Sequence, residues 1–226
     1  MMKCRPLAFV TSLFVASTLL AVPSLSAQAP AQSPDALAKA LQARYQGVRD
    51  FSADFVQSYR GGVLKTQTQE KGTVSVKKPG KMRWVYSSPD RKELVSDGSK
   101  IYWYMPDDKQ VSVYDVPAGN QASTPTLFLS GKGDIARDFV ASFASPATAG
   151  AVPLKLVPRR SEPEYEYLVV TVDPGSLQIR SLTTKDRQGG ESTLTFMNMK
   201  ENRGLSDKDF VFRVPRGVNI VTDGAQ

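Results

Sequence analysis

The hydrophobic period of this chain changes close to its start. Leu37, Leu41, Tyr45 and Val48 follow an Ala/Gln/Pro stretch at 28–33 and fall four, four and three positions apart, which predicts one apolar face of a helix. Ser33-Pro34-Asp35 supplies its beginning: a capping hydroxyl, a proline where no N–H is needed, and an acid at the positive end of the helix dipole. Gly47 marks its end. From Phe51 the period becomes two. Phe51, Ala53, Phe55 and Tyr59 alternate with Ser52, Asp54, Val56 and Ser58, the pattern of a strand with one buried face. After Gly61-Gly62 a second strand is predicted over 64–77, with Gly72, Val74 and Val76 on one face and Thr73, Ser75 and Lys77 on the other. Strands at 82–87, 92–96, 101–105 and 110–116 follow, divided by Ser88-Pro89-Asp90, Asp97-Gly98 and Pro106-Asp107-Asp108.

Between 120 and 145 the alternation lapses. Thr124-Pro125 ahead of Leu127, Phe128 and Leu129 predicts a short apolar helix, and 134–138 a second one. Strands resume at 153–158, 165–172, 177–185 and 191–199, with Asp173-Pro174-Gly175 and Gly189-Gly190 as turns. A last strand is expected around Asp209–Val214, followed by a β-rich tail at Val218–Val221. No repeat and no interdomain linker interrupts this order, so 28–226 is expected to be one domain. Short strands with tight turns and a few helices point to an α+β fold: a single curled antiparallel β-sheet forming an open half-barrel covered by a helical lid.

The first residues change the picture of where the chain works. Lys3 and Arg5 precede an apolar run from Leu7 to Val22 and small residues ending in Ser24-Leu25-Ser26-Ala27, so 1–27 is expected to be a cleaved secretory signal. The run is short and broken by Thr11, Ser12, Ser17 and Thr18, unlike a membrane span. The sole cysteine, Cys4, lies within this leader, which leaves the mature chain without thiol or disulfide. The chain also has no His, which removes the commonest general base and metal ligand. Subtracting Lys3 and Arg5 takes the formal charge from +7 to +5, and the remaining basic residues are dispersed rather than clustered; no nucleic-acid motif is present. The S-x-x-K pattern Ser75–Lys78 falls on a strand, where a spacing of three puts the two side chains on opposite faces. Asp107-Asp108 and Asp207-Lys208-Asp209 lack calcium-loop spacing and read as turn residues. The expectation is a binding protein, with no enzymatic activity, cofactor or metal.

Several local patterns then fall in order. Phe51-x3-Phe55-x-Gln57 comes first, then Val76-Lys77-Lys78-Pro79-Gly80-Lys81-Met82-Arg83-Trp84-Val85-Tyr86, Pro89, and Leu94-Val95-Ser96-Asp97-Gly98. Tyr102-Trp103-Tyr104, Thr124-Pro125 with its apolar successors, and Asp209-Phe210-Val211-Phe212-Arg213-Val214-Pro215-Arg216-Gly217-Val218 complete the set. In this order the chain resembles the periplasmic outer-membrane lipoprotein carrier family, the LolA type. The resemblance implies a monomeric periplasmic chaperone whose apolar cavity accepts the acyl chains of lipoproteins. An inner-membrane ABC transporter would release the cargo, and an outer-membrane lipoprotein receptor would take it. Lys78 stands where the family often has an arginine that latches the lid. Met82 stands where it often has Phe at the cavity mouth. Met82, Trp84 and Tyr86 alternate onto one face, expected to line the cavity, and Leu94, Trp103, Leu127 and Phe128 are the further lining candidates. Met82, Met105, Met197 and Met199 offer the adaptable apolar side chains that a releasable cargo requires. Alternatives within the same fold are a lipid- or lipoprotein-sensing regulatory domain and a glycolipid carrier.

Overall fold

The computed structural model describes residues 33–61, 66–116, 129, 133–145 and 150–222. Helix α1 spans Pro34–Gln46, and the Ser33 hydroxyl caps it by accepting from the Ala36 N–H at 3.2 Å. Its buried face is Leu37, Ala38, Leu41 and Tyr45, the face given by the spacing. Twelve strands follow: β1 Asp50–Arg60, β2 Gln67–Lys77, β3 Lys81–Ser88, β4 Lys92–Asp97, β5 Lys100–Met105, β6 Gln110–Asp115, β7 Phe139–Phe143, β8 Val152–Pro158, β9 Tyr167–Val172, β10 Ile179–Lys185, β11 Glu191–Glu201 and β12 Asn219–Thr222. A one-turn helix α2, Ile135–Asp138, precedes β7, and a 3-10 turn, Asp207–Phe210, follows β11.

All twelve strands form one sheet in the order β12-β6-β5-β4-β3-β2-β1-β11-β10-β9-β8-β7. It is open, with β7 and β12 as its edges. β1 is its centre, and every neighbouring pair is antiparallel except β12 with β6, which is parallel. The chain meanders outward from β1 to β6, crosses to the opposite edge, and meanders back from β7 to β11. Such a long twisted sheet curls. Directly opposed residues on neighbouring strands share a face. The inner face carries the main core, in which Phe51, Phe55, Val74, Val76, Leu154, Leu156, Leu168, Val170 and Phe196 pack with the α1 residues, Leu129 and Ile135.

The outer face holds a second apolar group. Val95 and Val111, on β4 and β6, and Phe210 of the 3-10 turn are fully buried but lie outside the main core. Phe212 stacks on Tyr102 at 5.3 Å and tilts against Tyr104 at 5.5 Å. Here the expected last strand is corrected. The Ser206 and Asp209 side chains form a capping box that winds Asp207–Phe210 into a 3-10 turn, and 211–218 joins no ladder. The Asp207 carboxylate, hydrogen-bonded by Lys77 and Lys81, is held below the usual aspartate range and ties this segment to β2 and β3. β7 was not expected. Its chain emerges directly from α2, whose Asp134 cap accepts from Arg137 N–H at 2.9 Å, so no turn residue announces it.

Candidate functional site: the inner face of strands β1 to β6

Three rows of side chains cross the inner face. Phe51, Val76, Met82 and Ser96 form the first; Ala53, Val74, Trp84, Leu94, Trp103 and Ser112 the second; Phe55, Gly72, Tyr86 and Lys92 the third. On β3 and β4 burial falls after the first row, while Phe55 of β1 stays buried. Met82 is 6% exposed and sits within the main core, whereas Trp84, Tyr86 and Leu94 are half-buried and pack against its margin. Trp103 is also half-buried, opposite Leu94. Phe55 organises the group: Trp84 and Tyr86 meet it edge-on at 5.1 and 5.0 Å, a favourable aromatic geometry. Gly72 lies beneath this ring, on the same row. The structure thus brings Met82, Trp84, Tyr86, Leu94 and Trp103 onto one surface. Leu127 and Phe128 lie outside the described residues; their neighbour Leu129 is buried in the main core. Met199 packs against the core, while Met197 pairs with Asp54 and is 42% exposed, away from the inner face.

Beside the first row, Lys78 closes on α1. Its ammonium donates to the Tyr45 carbonyl oxygen, in the last turn of the helix, which also accepts from Val48 N–H at 3.3 Å. A helix end leaves such carbonyls without an intrahelical donor. Burial lowers the Lys78 pKa, and the Glu201 carboxylate nearby works in the opposite direction. Glu201 accepts from the Arg44 guanidinium at 2.7 Å, and Arg44 also donates to the Ser176 carbonyl at 2.5 Å. The Tyr45 hydroxyl accepts from Ile179 N–H at 3.0 Å, and burial pushes its phenol well up. The end of α1 is therefore joined to the β2–β3 turn, to β10 and the turn before it, and to β11. Sequence reasoning singled out Lys78 but missed Arg44, Glu201 and the Tyr45 hydroxyl, because their partners are remote in the chain.

At the third row the apolar surface ends in a polar group. The Lys92 ammonium donates to Glu70 Oε1 at 2.5 Å and lies 4.5 Å from the centre of the Tyr86 ring and 5.6 Å from that of Trp103. The Tyr86 hydroxyl donates to Gln57 Oε1 at 3.2 Å. Burial, with a smaller contribution from the Glu70 carboxylate, pushes its phenol up to about 12. These polar positions gave no sequence signal beyond their place in the alternation.

Little in this arrangement suggests bond-making chemistry. Ser75 stands in register with Ser52 and Arg83, on the outer row, whereas Lys78 is committed to α1. Among the described residues, no group of three His, Cys, Asp or Glu side chains is placed to hold a metal, and no helix is long and apolar enough to cross a membrane. A cleft of about 390 Å³ lies between the β9–β10 turn and β11, lined by Asp173, Arg180, Thr195 and Asn198 among others. Its lining mixes polar side chains with Ile179, Phe196 and Met199, its Asp173 carboxylate is bound to the Ser176 N–H and to Arg180, and of the apolar residues expected to meet cargo it holds only Met199.

Comparison with known proteins gives the same assignment as the ordered motifs. The family model for the outer membrane lipoprotein carrier protein LolA matches residues 46–213. The outer-membrane lipoprotein carrier protein of Chromohalobacter salexigens is 30% identical, over 96% of this chain and 99% of its own. That of Cupriavidus taiwanensis is 29% identical over 91% and 96%. Among solved structures, an uncharacterised conserved protein from Thermus thermophilus shares the fold with a TM-score of 0.54, 11% identity, and coverage of 82% of this chain and 99% of its own. An open sheet whose inner face passes from buried core to half-buried aromatics, and a family match running from the end of α1 to beyond the 3-10 turn, lead to one conclusion: this chain belongs to the outer-membrane lipoprotein carrier family.

Proposed function

We propose that the chain is a periplasmic chaperone that takes the acyl chains of lipoproteins against the inner face of its sheet and carries them to the outer membrane. The observation that supports this most directly is the half-buried aromatic and aliphatic surface of Trp84, Tyr86 and Leu94, packed against the main core, with Trp103 opposite Leu94. An acyl chain costs about 0.8 kcal/mol per methylene to expose to water, so fifteen methylenes carry about 12 kcal/mol. Crossing an aqueous compartment without a shield is negligible at that cost. A carrier must also let go, and a surface of half-buried side chains beside a tight core meets both demands. The inner-membrane donor is an ABC transporter that releases lipoproteins, and the acceptor is an outer-membrane lipoprotein receptor. Lys78 acts as the latch, since its bond to the end of α1 joins that helix to the β2–β3 turn beside the first row.

The test is mass spectrometry of material that co-purifies with the chain from the periplasm. Triacylated lipoprotein at near one-to-one stoichiometry is expected. Free glycolipid in its place would reassign the chain to another lipid, and an empty protein that also ignores added lipopeptide would contradict the proposal.

A further inference from the structure

On the basis of that acyl-binding surface, we propose that the Glu70–Lys92 pair is a subsite for the neutral ester and amide junction of the cargo's acylated N-terminus. Its internal charge balance selects against amphiphiles with an anionic head. A lysine on the inner face of a sheet needs explaining, because a charge beside apolar side chains is costly unless it is partnered. Here the ammonium has three partners: the Glu70 carboxylate at 2.5 Å and the faces of Tyr86 and Trp103 at 4.5 and 5.6 Å. The arrangement fixes the cation at the boundary of the apolar rows, one row beyond Trp84 and Leu94. An acyl chain lying on Trp84 and Leu94 would bring its first polar atoms to this place.

The chemistry of the pair indicates which polar atoms these are. An ammonium has three N–H donors and no acceptor. Glu70 takes one of them, which leaves others to meet carbonyl oxygens. Ester and amide carbonyls accept such bonds without bringing charge. A free carboxylate or a phosphate is drawn to Lys92 but repelled by Glu70, which is within hydrogen-bonding distance of the same nitrogen. Gln57 and the Tyr86 hydroxyl, bonded to each other at 3.2 Å, extend the same neutral, hydrogen-bonding boundary. The backbone register sets Glu70 opposite Gln57 and Lys92 opposite Tyr86, so the four side chains share one margin of the sheet.

The experiment compares three probes on the purified chain at neutral pH: a triacylated cysteinyl lipopeptide, methyl palmitate and palmitate. The last two share an acyl chain and differ in the head, a neutral methyl ester in one and a carboxylate in the other. The wild-type chain should prefer methyl palmitate to palmitate. Glu70→Gln leaves Lys92 uncompensated and should raise palmitate affinity about tenfold, the scale of one charge-assisted hydrogen bond. Lys92→Met should weaken the lipopeptide about tenfold. Exchanging the charges, Glu70→Lys with Lys92→Glu, should restore the preference for the neutral ester, and melting curves establish that each variant is folded. A ratio of methyl palmitate to palmitate affinity unchanged in Glu70→Gln overturns the subsite while leaving the carrier function intact, provided that the lipopeptide still binds. Failure of the wild-type chain to bind the lipopeptide at all overturns both.

Discussion

A Cβ on Gly72 would lie 2.0 Å from the Val85 carbonyl oxygen and 2.9 Å from its carbon, both backbone atoms of β3, and 3.0 Å from Phe55 Cε1. The ladder cannot retreat from such an atom, so Gly72→Ala should shift β3 and displace the Phe55 ring. A cost of at least about 2 kcal/mol is expected, seen as a fall in melting temperature of about 4–8 °C. Lys78 acts at the other end of the site. Lys78→Leu leaves the Tyr45 carbonyl with one donor fewer, and because Lys78 is partly solvated the loss should be only about 1 kcal/mol of local stability. Faster amide exchange in the last turn of α1 and slower hand-over of lipoprotein to the receptor are the expected readouts; unchanged exchange and transfer would make Lys78 an ordinary surface charge. Alternation alone placed Gly72 on one face of its strand with Val74 and Val76, and Trp84 and Tyr86 on one face of theirs with Met82; the register joins the two faces. It could not show that Gly72 has no room for a side chain, since that depends on the partner strand.

At the scale of elements, α1 and the strands from β1 to β6 were legible because each is a long run of one period bounded by Gly, Pro or Asp. The segment after β11 misled for the same reason: Phe210, Phe212 and Val214 alternate as a strand would, yet a capping box and a turn rather than a ladder shape it. Two of its side chains still do what alternation implies, since Phe210 is 1% exposed and Phe212 lies against Tyr102, whereas Val214 is 40% exposed. Phe210→Ala should therefore destabilise by about 3–5 kcal/mol, the usual cost of deleting a buried aromatic. Denaturant unfolding measures it, and a loss under about 1 kcal/mol would mean that the outer apolar group contributes little. β7 and the Glu201–Arg44 contact were not legible, the first because no turn residue precedes it and the second because its partners are far apart in sequence.

The whole molecule separates two tasks across one sheet. The outer apolar group braces β3 to β6 from behind, while the inner face grades from closed core under α1 to half-buried aromatics and a charge-balanced margin. Leu94→Trp enlarges a side chain at that margin, where it is only half-buried, and should reduce lipopeptide binding with little change in melting temperature. In a solid core the same overpacking typically costs about 1–3 kcal/mol. That cargo lies on the inner face is tested most directly by site-specific photo-crosslinking. A benzophenone side chain at position 94 faces inward, whereas one at position 85 replaces Val85, 39% exposed on the outer row of β3. After loading with a triacylated lipoprotein, position 94 is expected to crosslink to the cargo and position 85 is not; equal crosslinking at both positions, or crosslinking at position 85 alone, would contradict an acyl-binding inner face.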